Sequence, residues 1–339
     1  MLNKCQIRTK TSHVCSKTES PVARWEELSQ GAGYEVVQLD TREVTVRGGS
    51  GAQTEVRGDS GAQTEVRLVC ISDTHSRHEG VEVPHGGWTV MKCSVTVTRT
   101  SGDILVHAGD FTRYGMVAEV VAFNQWLARL PHKVRWCSAE LFPNVGVQHK
   151  IVIAGNHELS FHAATLEESR EYMRQAGDEG DAEMSTEDIK ALLTSCTYLE
   201  DEPLEVMGIK FYGSPWQPRF SNSAFNLERG AALGRVWASI PGDTEVLVTH
   251  GPPLGLGDRC LRHGEGGALV SAGRAGCEEL VRAVVERVRP RCHVFGHVHE
   301  GHGVYSNGET IFINASTCNK KYQPVNSAVV VNIHRGSKK

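Results

Sequence analysis

The sequence has no long apolar run and no apolar centre near its N-terminus. None of its apolar segments approaches the roughly 20 residues that a membrane-spanning helix needs. The first residues, MLNKCQIRTKTSHVCSK, also lack the hydrophobic core of a secretory signal peptide. These absences predict a protein without a membrane span and with a cytoplasmic localisation.

Paired cysteines and an excess of one charge are also missing. The ten cysteines include no CxxC pair, so they indicate buried or free thiols in a reducing compartment and not a disulfide framework. Lysine and arginine number 36 against 40 aspartates and glutamates, which gives a net charge of −4. This near balance argues against a large nucleic-acid-binding surface.

The sequence does contain five apolar runs that each end in Asp, Asn or His. The runs are LVCISDTH, DILVHAGD, KIVIAGNHE, EVLVTH and HVFGHVH. Continuous apolar residues, without alternation, are typical of strands that are buried on both faces of a helix-covered sheet. Ligands of open α/β sheets bind at the carboxyl ends of such strands. The five strand ends are therefore expected to form one shared site.

The residues at these strand ends are of the types that bind metal ions. The candidate metal ligands are Asp73, His75, Asp110, Asn156, His250, His297 and His299. Carboxylate, amide and imidazole donors without a thiolate favour Mn, Fe, Zn or Mg. The glycines before Asp110 and Asn156 allow a sharp turn and a close approach of the backbone. One carboxylate at Asp110 can bridge two cations through its two oxygens.

The N-terminal part and two internal stretches fall outside this pattern. Residues 1–67 are predicted to form a flexible extension, in which the repeat GGSGAQTEVR and GDSGAQTEVR spans 48–67, and the ordered domain is predicted to span 68–335. The stretches 87–101 and 134–148 read as peripheral insertions, and the first could form an exposed edge hairpin. Retained intron sequence is the alternative explanation for both, which sequencing of the mature transcript would test.

Other segments have clear local signals. Apolar spacing predicts helices within 116–130 and 277–288, with Pro290 ending the second. A helix, an acidic loop and a second helix are expected over 161–195, with Ser185 or Thr186 as the N-cap. A hairpin is expected around 204–213. His107 is expected to be a buried, hydrogen-bonded strand residue and not a ligand.

The order SDTH, GD, GNHE, TH and GHVH resembles the calcineurin-like metallophosphoesterase superfamily. The longer strings ISDTHSRHEG, HAGDFT, FNQWLARLP, THGPPLG, HVFGHVHEGHG and INASTC resemble its metallophosphoesterase-domain-containing branch, from about Leu68 to Asn332. The resemblance implies a four-layer α/β/β/α sandwich with two divalent metal ions. It implies one metal held by Asp73, His75, Asp110 and His299, and a second held by Asp110, Asn156, His250 and His297. His297 is present where some members have glycine, so the predicted ligand set is complete.

The resemblance also implies a reaction. The expected activity is hydrolysis of cyclic nucleotides or related small phosphodiesters, by a metal-bridged hydroxide with His157 as the catalytic acid and manganese as the favoured metal. One alternative is a low-activity nucleotide-binding or scaffold protein that keeps the metal site. Another is a phosphomonoesterase or protein phosphatase, but GDFTRYG places Arg113 out of register with the GDYVDRG pattern of protein phosphatases.

Three further residues are candidates for roles around the site. Glu158 could orient one of the imidazoles from outside the ligand set. Trp216 and Phe220 could stack on a nucleotide base, or they could simply pack within a surface loop.

Overall fold

The computed structural model describes residues 21–29, 36–39, 43–46, 65–81, 83, 89–91, 94–96, 102–130, 149–263 and 269–334. The α-helices are α1 (Pro21–Leu28), α2 (Val117–Arg129), α3 (Leu166–Ala176), α4 (Thr186–Ala191), α5 (Ala231–Ala238) and α6 (Glu278–Arg282). A π-helical segment, Ala283–Val288, continues α6. Short 3₁₀ turns span His78–Gly80, Leu159–Phe161, Asp181–Glu183 and His299–Gly301.

The strands are numbered along the chain. The first ten are β1 (Val37–Leu39), β2 (Glu43–Val46), β3 (Glu65–Ile71), β4 (Thr89–Met91), β5 (Ser94–Thr96), β6 (Ile104–Ala108), β7 (His149–Ile153), β8 (Thr197–Tyr198), β9 (Glu202–Val206) and β10 (Ile209–Ser214). They are followed by β11 (Gln217–Pro218), β12 (Asn226–Leu227), β13 (Val246–Thr249), β14 (Arg259–His263), β15 (Leu269–Arg274), β16 (Cys292–Phe295), β17 (Gly303–Ser306), β18 (Ile311–Asn314) and β19 (Val329–His334).

Two mixed sheets form the centre of the molecule. One has seven strands in the order β1-β17-β18-β16-β13-β10-β9, and the other has six in the order β2-β19-β3-β6-β7-β8. In the first sheet the neighbours β18, β16, β13 and β10 pair in parallel. In the second sheet the neighbours β3, β6, β7 and β8 pair in parallel. The carboxyl ends of these neighbouring strands therefore lie along one edge of each sheet.

The two sheets pack face to face, and helices cover their outer faces. Leu68 and Val106 of one sheet meet Phe211 and Val294 of the other in a shared buried core. Alternate side chains of the six-stranded sheet pack beneath α2, α3 and α4, and those of the seven-stranded sheet pack beneath α5 and α6. This arrangement confirms the predicted four-layer α/β/β/α sandwich.

Most predicted elements are confirmed. The five apolar runs form β3, β6, β7, β13 and β16, and every residue of β6, β13 and β16 is buried. The apolar pattern within 116–130 forms α2, and the hairpin around 204–213 is the antiparallel pair of β9 and β10. Ser185 is the N-cap of α4, because its hydroxyl oxygen accepts a hydrogen bond from the Asp188 N–H.

Two predicted elements differ in detail. The apolar stripe of 277–288 does not form one regular α-helix, because its second half adopts the wider π-helical turn. The hairpin within 87–101 forms, but β4 and β5 make a separate two-stranded pair and do not extend either large sheet. The stretch 134–148 and the tandem repeat up to residue 64 lie outside the described residues.

Segments that precede Leu68 contribute to both sheets. β1 pairs with β17 and β2 pairs with β19, and Val44 and Val46 of β2 are buried in the core between the sheets. The prediction of a flexible extension over 1–67 therefore does not describe these segments. Each strand fills an open sheet edge, a tertiary contact that a short, weakly periodic sequence does not predict. The domain boundary at Leu68 stays a prediction.

Within the ranges described, no helix combines the length and the apolar character that crossing a bilayer requires.

Candidate metal centre

The predicted site residues follow strands of both sheets. Asp73 and His75 follow β3, Asp110 follows β6, Asn156 and His157 follow β7, His250 follows β13, and His297 and His299 follow β16. The structure brings all eight side chains to the edge where the parallel strands of the two sheets end. The seven predicted metal ligands among them form two groups, and His157 lies beside them.

The first group consists of Asp73, His75 and His299. His299 Nε2 lies 3.2 Å from Asp73 Oδ1 and 3.1 Å from His75 Nε2. His75 Nε2 in turn lies 3.9 Å from the same Asp73 oxygen. One donor atom from each residue is within 4.8 Å of the others, so the three can reach a single cation.

The second group consists of Asp110, Asn156, His250 and His297. Donor atoms of the aspartate and the two histidines lie within 4.8 Å of one another. The amide oxygen of Asn156 lies between the imidazoles, 3.0 Å from His250 Nε2 and 2.8 Å from His297 Nδ1. His297 thus faces the group through Nδ1, whereas His250 faces it through Nε2.

Asp110 connects the two groups. Its Oδ2 lies 3.8 Å from His75 Nε2, and its Oδ1 lies 3.4 Å from His250 Nε2. The two oxygens of one carboxylate therefore face different groups, as a bridging ligand requires.

A third combination of donors involves His157. Donor atoms of His75, Asp110 and His157 also lie within 4.8 Å of one another. His75 and Asp110 are buried, but His157 is only partly buried, and its Nδ1 lies 2.7 Å from the Arg113 carbonyl oxygen. The geometry therefore permits His157 to act either as a ligand or, as predicted from the resemblance, as an acid.

Several of these residues have unfavourable backbone conformations. The φ angles of Asp73, His75, Asp110 and His297 are 53°, 42°, 57° and 67°, in the left-handed region that non-glycine residues rarely adopt. Residues held in such conformations cost roughly 1–3 kcal/mol each and occur at functional sites that the surrounding fold holds in place.

Glycines allow the loops that carry these residues to pack closely. A Cβ atom on Gly109 would lie 2.6 Å from the Ala154 carbonyl oxygen, and one on Gly296 would overlap the carboxylate of Asp73. At both positions a Cβ atom would lie too close to its neighbour, so only glycine fits without a shift of the backbone. The predicted close approach at Gly109 is thus confirmed, and Gly296 adds a second such position.

Backbone carbonyls fix the orientation of two imidazoles. His250 Nδ1 lies 2.9 Å from the Ala108 carbonyl oxygen, and His299 Nδ1 lies 3.0 Å from that of Asn319. Each Nδ1–H donates to its carbonyl, so Nε2 is the nitrogen that faces the site and the one that could bind a cation after losing its proton.

The electrostatics of the site favour the metal-binding form of some donors and a protonated form of others. Burial lowers the pKa values of His75 and His297 to about 3, so both imidazoles are neutral. Burial opposes the charge of Asp110, but the imidazoles of His250 and His157 outweigh it and hold the pKa of that carboxyl well below its usual range.

Burial opposes the charge of His250, but the carboxylate of Asp110 outweighs it and raises the pKa of that imidazole to about 9. Burial also opposes the charge of His299, and the carboxylate of Asp73 outweighs it and raises the pKa of His299. Because only a neutral imidazole binds a metal ion, cations would displace a proton from these two histidines.

The donor set fits divalent cations. Asp73 and Asp110 are both buried, and their ion-pair partners among the described residues are histidines. Buried carboxylates need compensating positive charge, which protons on His250 and His299 supply in part and which a pair of cations would supply in their place. Oxygen and imidazole donors without a thiolate suit Mn, Fe, Zn or Mg.

The chain is similar in sequence to known metallophosphoesterases. The sequence profile of the calcineurin-like phosphoesterases matches residues 66–301. The chain belongs to the calcineurin-like phosphoesterase family. Metallophosphoesterase domain-containing protein 1 of Homo sapiens is 42% identical over 270 residues, which cover 79% of this chain and 71% of that protein. A UPF0046 protein of Caenorhabditis elegans is 39% identical over 257 residues, which cover 76% of this chain and 71% of its own length.

Membership of the calcineurin-like phosphoesterase family and the two groups of donors identify a metal-dependent phosphoesterase with a site for two divalent cations.

In this phosphoesterase Glu158 does not contact an imidazole, in contrast to the interpretation from the sequence. Its buried carboxylate accepts hydrogen bonds from the backbone N–H groups of Asp110, Thr112 and Gly155 and from the Thr112 hydroxyl, at 2.6–2.9 Å. Burial raises its pKa to about 8, with the charge of Asp110 acting in the same direction. Glu158 thus holds together the loops that carry Asp110 and Asn156.

We expect Glu158→Gln to lower stability. The amide nitrogen of glutamine cannot accept hydrogen bonds, so two of the four donors would lose their partner. The expected loss is roughly 2–4 kcal/mol, or about 3–6 °C in Tm for a chain of this length, measured by differential scanning calorimetry of the metal-free protein. Glu183→Gln, at an exposed position, is the control and should leave Tm unchanged. An unchanged Tm for Glu158→Gln would remove this role.

Ser316 is a further residue of the site that the sequence does not predict. Its hydroxyl donates a 2.9 Å hydrogen bond to Asp73 Oδ2, and the backbone N–H of His297 donates to the same oxygen at 2.9 Å. Both bonds leave the Asp73 Oδ1 atom facing the first group. The string INASTC contains Ser316, but nothing in the string connects it with Asp73, which lies more than two hundred residues earlier.

We expect Ser316→Ala to weaken metal binding about 10–100-fold, the usual effect of removing a hydrogen bond that orients a ligand. Titration calorimetry with manganese measures this. Thr317→Val is a matched control, because the buried Thr317 hydroxyl has no hydrogen-bond partner among the described residues. Equal affinities for both variants would contradict a role of Ser316 in orienting Asp73.

Two buried strand histidines form hydrogen bonds with threonines that neighbour predicted ligands in sequence. His107 Nε2 lies 3.0 Å from the hydroxyl of Thr74, between Asp73 and His75, and its burial confirms the prediction made for it. His293 Nε2 lies 2.8 Å from the hydroxyl of Thr249, next to His250. Each sheet thus uses a buried strand histidine to hold a threonine beside a predicted ligand.

Proposed function

We propose that this phosphoesterase hydrolyses small phosphodiesters, with cyclic nucleotides or related nucleotide esters as substrates and manganese as the metal. The observation that supports this best is the position of Asp110, whose two oxygens face separate groups of donors. One cation would be held by Asp73, His75, His299 and Asp110, and the other by Asp110, Asn156, His250 and His297.

When bound, the two cations would offset the charge of the phosphoryl oxygens and lower the pKa of an attacking water. The protein contributes the orientation of its donors: the carbonyls that bind His250 and His299 direct both Nε2 atoms to the site. Because these groups are positioned before substrate binds, little reorganisation is needed during the reaction.

His157 is the proposed general acid. Its Nδ1–H donates to the Arg113 carbonyl, so in the protonated imidazolium form Nε2 carries the second proton, which would pass to the leaving alkoxide or phenoxide and leave His157 neutral. Partial burial leaves this imidazole accessible to a substrate at the surface of the site. The backbone N–H of His157 also donates to Asp110 Oδ1 at 2.8 Å, which fixes its distance from the bridging carboxylate.

A diester is favoured over a monoester by the surroundings of Arg113. Its guanidinium lies 6.0 Å from the ring centre of Tyr114, and the residue is exposed. A monoester dianion carries more negative charge than a diester and would gain more from an arginine directed at the phosphoryl group. The exposed Arg113 guanidinium instead lies beside Tyr114, at the outer limit of a cation–π contact.

The test is a comparison of bis(4-nitrophenyl) phosphate with 4-nitrophenyl phosphate, using protein loaded with manganese. We expect a higher kcat/KM for the diester, and turnover of cyclic nucleotides with the same metal. Faster hydrolysis of the monoester would support the phosphomonoesterase alternative. Full metal loading without turnover of either ester would support the nucleotide-binding or scaffold alternative. The cytoplasmic localisation stays a prediction from the sequence.

A further inference from the structure

Two exposed aromatic side chains border the candidate metal centre. The large apolar side chains exposed among the described residues are those of Val37, Phe220, Tyr322 and Val325. Phe220 is 53% exposed and Tyr322 is 38% exposed, and both rings contact predicted metal ligands. An aromatic side chain kept in solvent beside a reactive site is available for contact with substrate.

Tyr322 borders the first group of donors and His157. Its ring centre lies 4.8 Å from that of His75, 5.7 Å from that of His299 and 6.2 Å from that of His157. Its φ angle of 57° is unusual for a bulky residue. The fold therefore holds this ring in place against a conformational preference, as is found at binding sites.

The turn that carries Tyr322 is rigid. The side-chain oxygen of Asn319 accepts hydrogen bonds from the N–H groups of Lys321 and Gln323, and its backbone carbonyl accepts one from Tyr322. The same carbonyl binds His299 Nδ1. The position of the Tyr322 ring is thus tied to that of the ligand His299.

Phe220 borders the second group. Its ring centre lies 5.1 Å from that of His297, with the two planes at 87°. Its loop is also rigid, because Asn226 accepts from the Phe220 N–H and donates to the carbonyls of Phe220 and Ser221. Trp216, which the sequence also offered for base stacking, packs against His162 and Phe225 and donates to Asp201.

We propose that Tyr322 and Phe220 determine substrate specificity, each contacting one ester arm of a linear phosphodiester whose two arms carry planar aromatic groups. The proposal rests on the proposed phosphodiesterase function. Tyr322 lies near His157, the proposed acid, so it contacts the leaving arm. Phe220 lies beside His297 in the other group, so it contacts the retained arm. Because both rings are held before binding, stacking on them requires little ordering of the protein.

Three diesters separate the two contacts. Bis(4-nitrophenyl) phosphate has an aromatic group on both arms, methyl 4-nitrophenyl phosphate has one on the leaving arm, and the strained cyclic diester ethylene phosphate has none. We expect Phe220→Leu to lower kcat/KM about tenfold for the first substrate alone, the size of one lost aromatic contact. Tyr322→Leu should lower it about tenfold for the first two. Both variants should act on ethylene phosphate as the wild type does.

Three further variants distinguish loss of an aromatic contact with substrate from a disturbance of the fold. Tyr322→Phe keeps the ring and should match the wild type, and Tyr322→Asn suits the left-handed backbone while removing the ring. Val325→Ala, on the same exposed loop, should leave all three rates unchanged. Metal content per chain is measured for every variant.

The outcomes are distinct. Equal losses on all three diesters, or loss of metal, would show that the two rings have a structural role and overturn the specificity proposal while diester hydrolysis stands. No turnover of any diester by the wild type would overturn the proposed function, and the specificity proposal with it.

Discussion

Asp110→Asn is expected to release metal from both positions and to reduce kcat/KM by at least about a thousandfold. The substitution keeps the size of the side chain but replaces one of its two oxygens with a nitrogen that cannot bind a cation. Since Oδ1 faces His250 and Oδ2 faces His75, losing either oxygen weakens one position and removes the bridge between both. Elemental analysis of the purified variant gives the metal content per chain.

The control for Asp110→Asn is the same substitution at Asp243, an exposed carboxylate that pairs with Lys210. Asp243→Asn should keep two metal ions and full activity. Circular dichroism of both variants separates metal loss from unfolding. If Asp110→Asn retained two metal ions per chain, the bridging role of this carboxylate would be wrong.

His157→Ala is expected to lower kcat about 10²–10⁴-fold for esters with poor leaving groups, the usual contribution of a general acid. The loss should be smaller for 4-nitrophenyl esters, whose leaving group needs less protonation. Metal content should remain at two ions per chain. The measurement is kcat over a series of leaving groups of increasing pKa, together with elemental analysis.

This variant decides between the two roles that the geometry allows for His157. Because its donor atoms can join those of His75 and Asp110, a role as ligand predicts loss of metal and equal losses for all leaving groups. The control is His149→Ala, at an exposed histidine at the start of β7, the strand that precedes His157. This variant should change neither the metal content nor kcat.

The sequence predicted the strands and the donor residues that follow them well, because both depend on local patterns. A run such as LVCI is buried wherever it occurs in a covered sheet, and the residue that follows it must lie at the strand end. The N-cap at Ser185 and the hairpin of β9 and β10 follow from equally local rules.

Glu158 shows where such reasoning fails. From its place beside His157 it was expected to orient an imidazole, but its carboxylate binds the backbone of loops that are separate in sequence. Ser316 and Tyr322 were missed for the same reason, since each acts on residues more than one hundred and fifty positions away. Nothing within a local segment specifies such a partner.

The sequence by itself determined which donors are available and that each one ends a buried strand, because side-chain type and hydrophobic pattern are local properties. The division of those donors into two groups around Asp110 was implied by the resemblance to a known family, and only the tertiary structure decided their distances and which nitrogen each histidine presents. It also decided which aromatic rings border them. These are distances and angles between strands of two different sheets, and they exist only once the sheets have packed together.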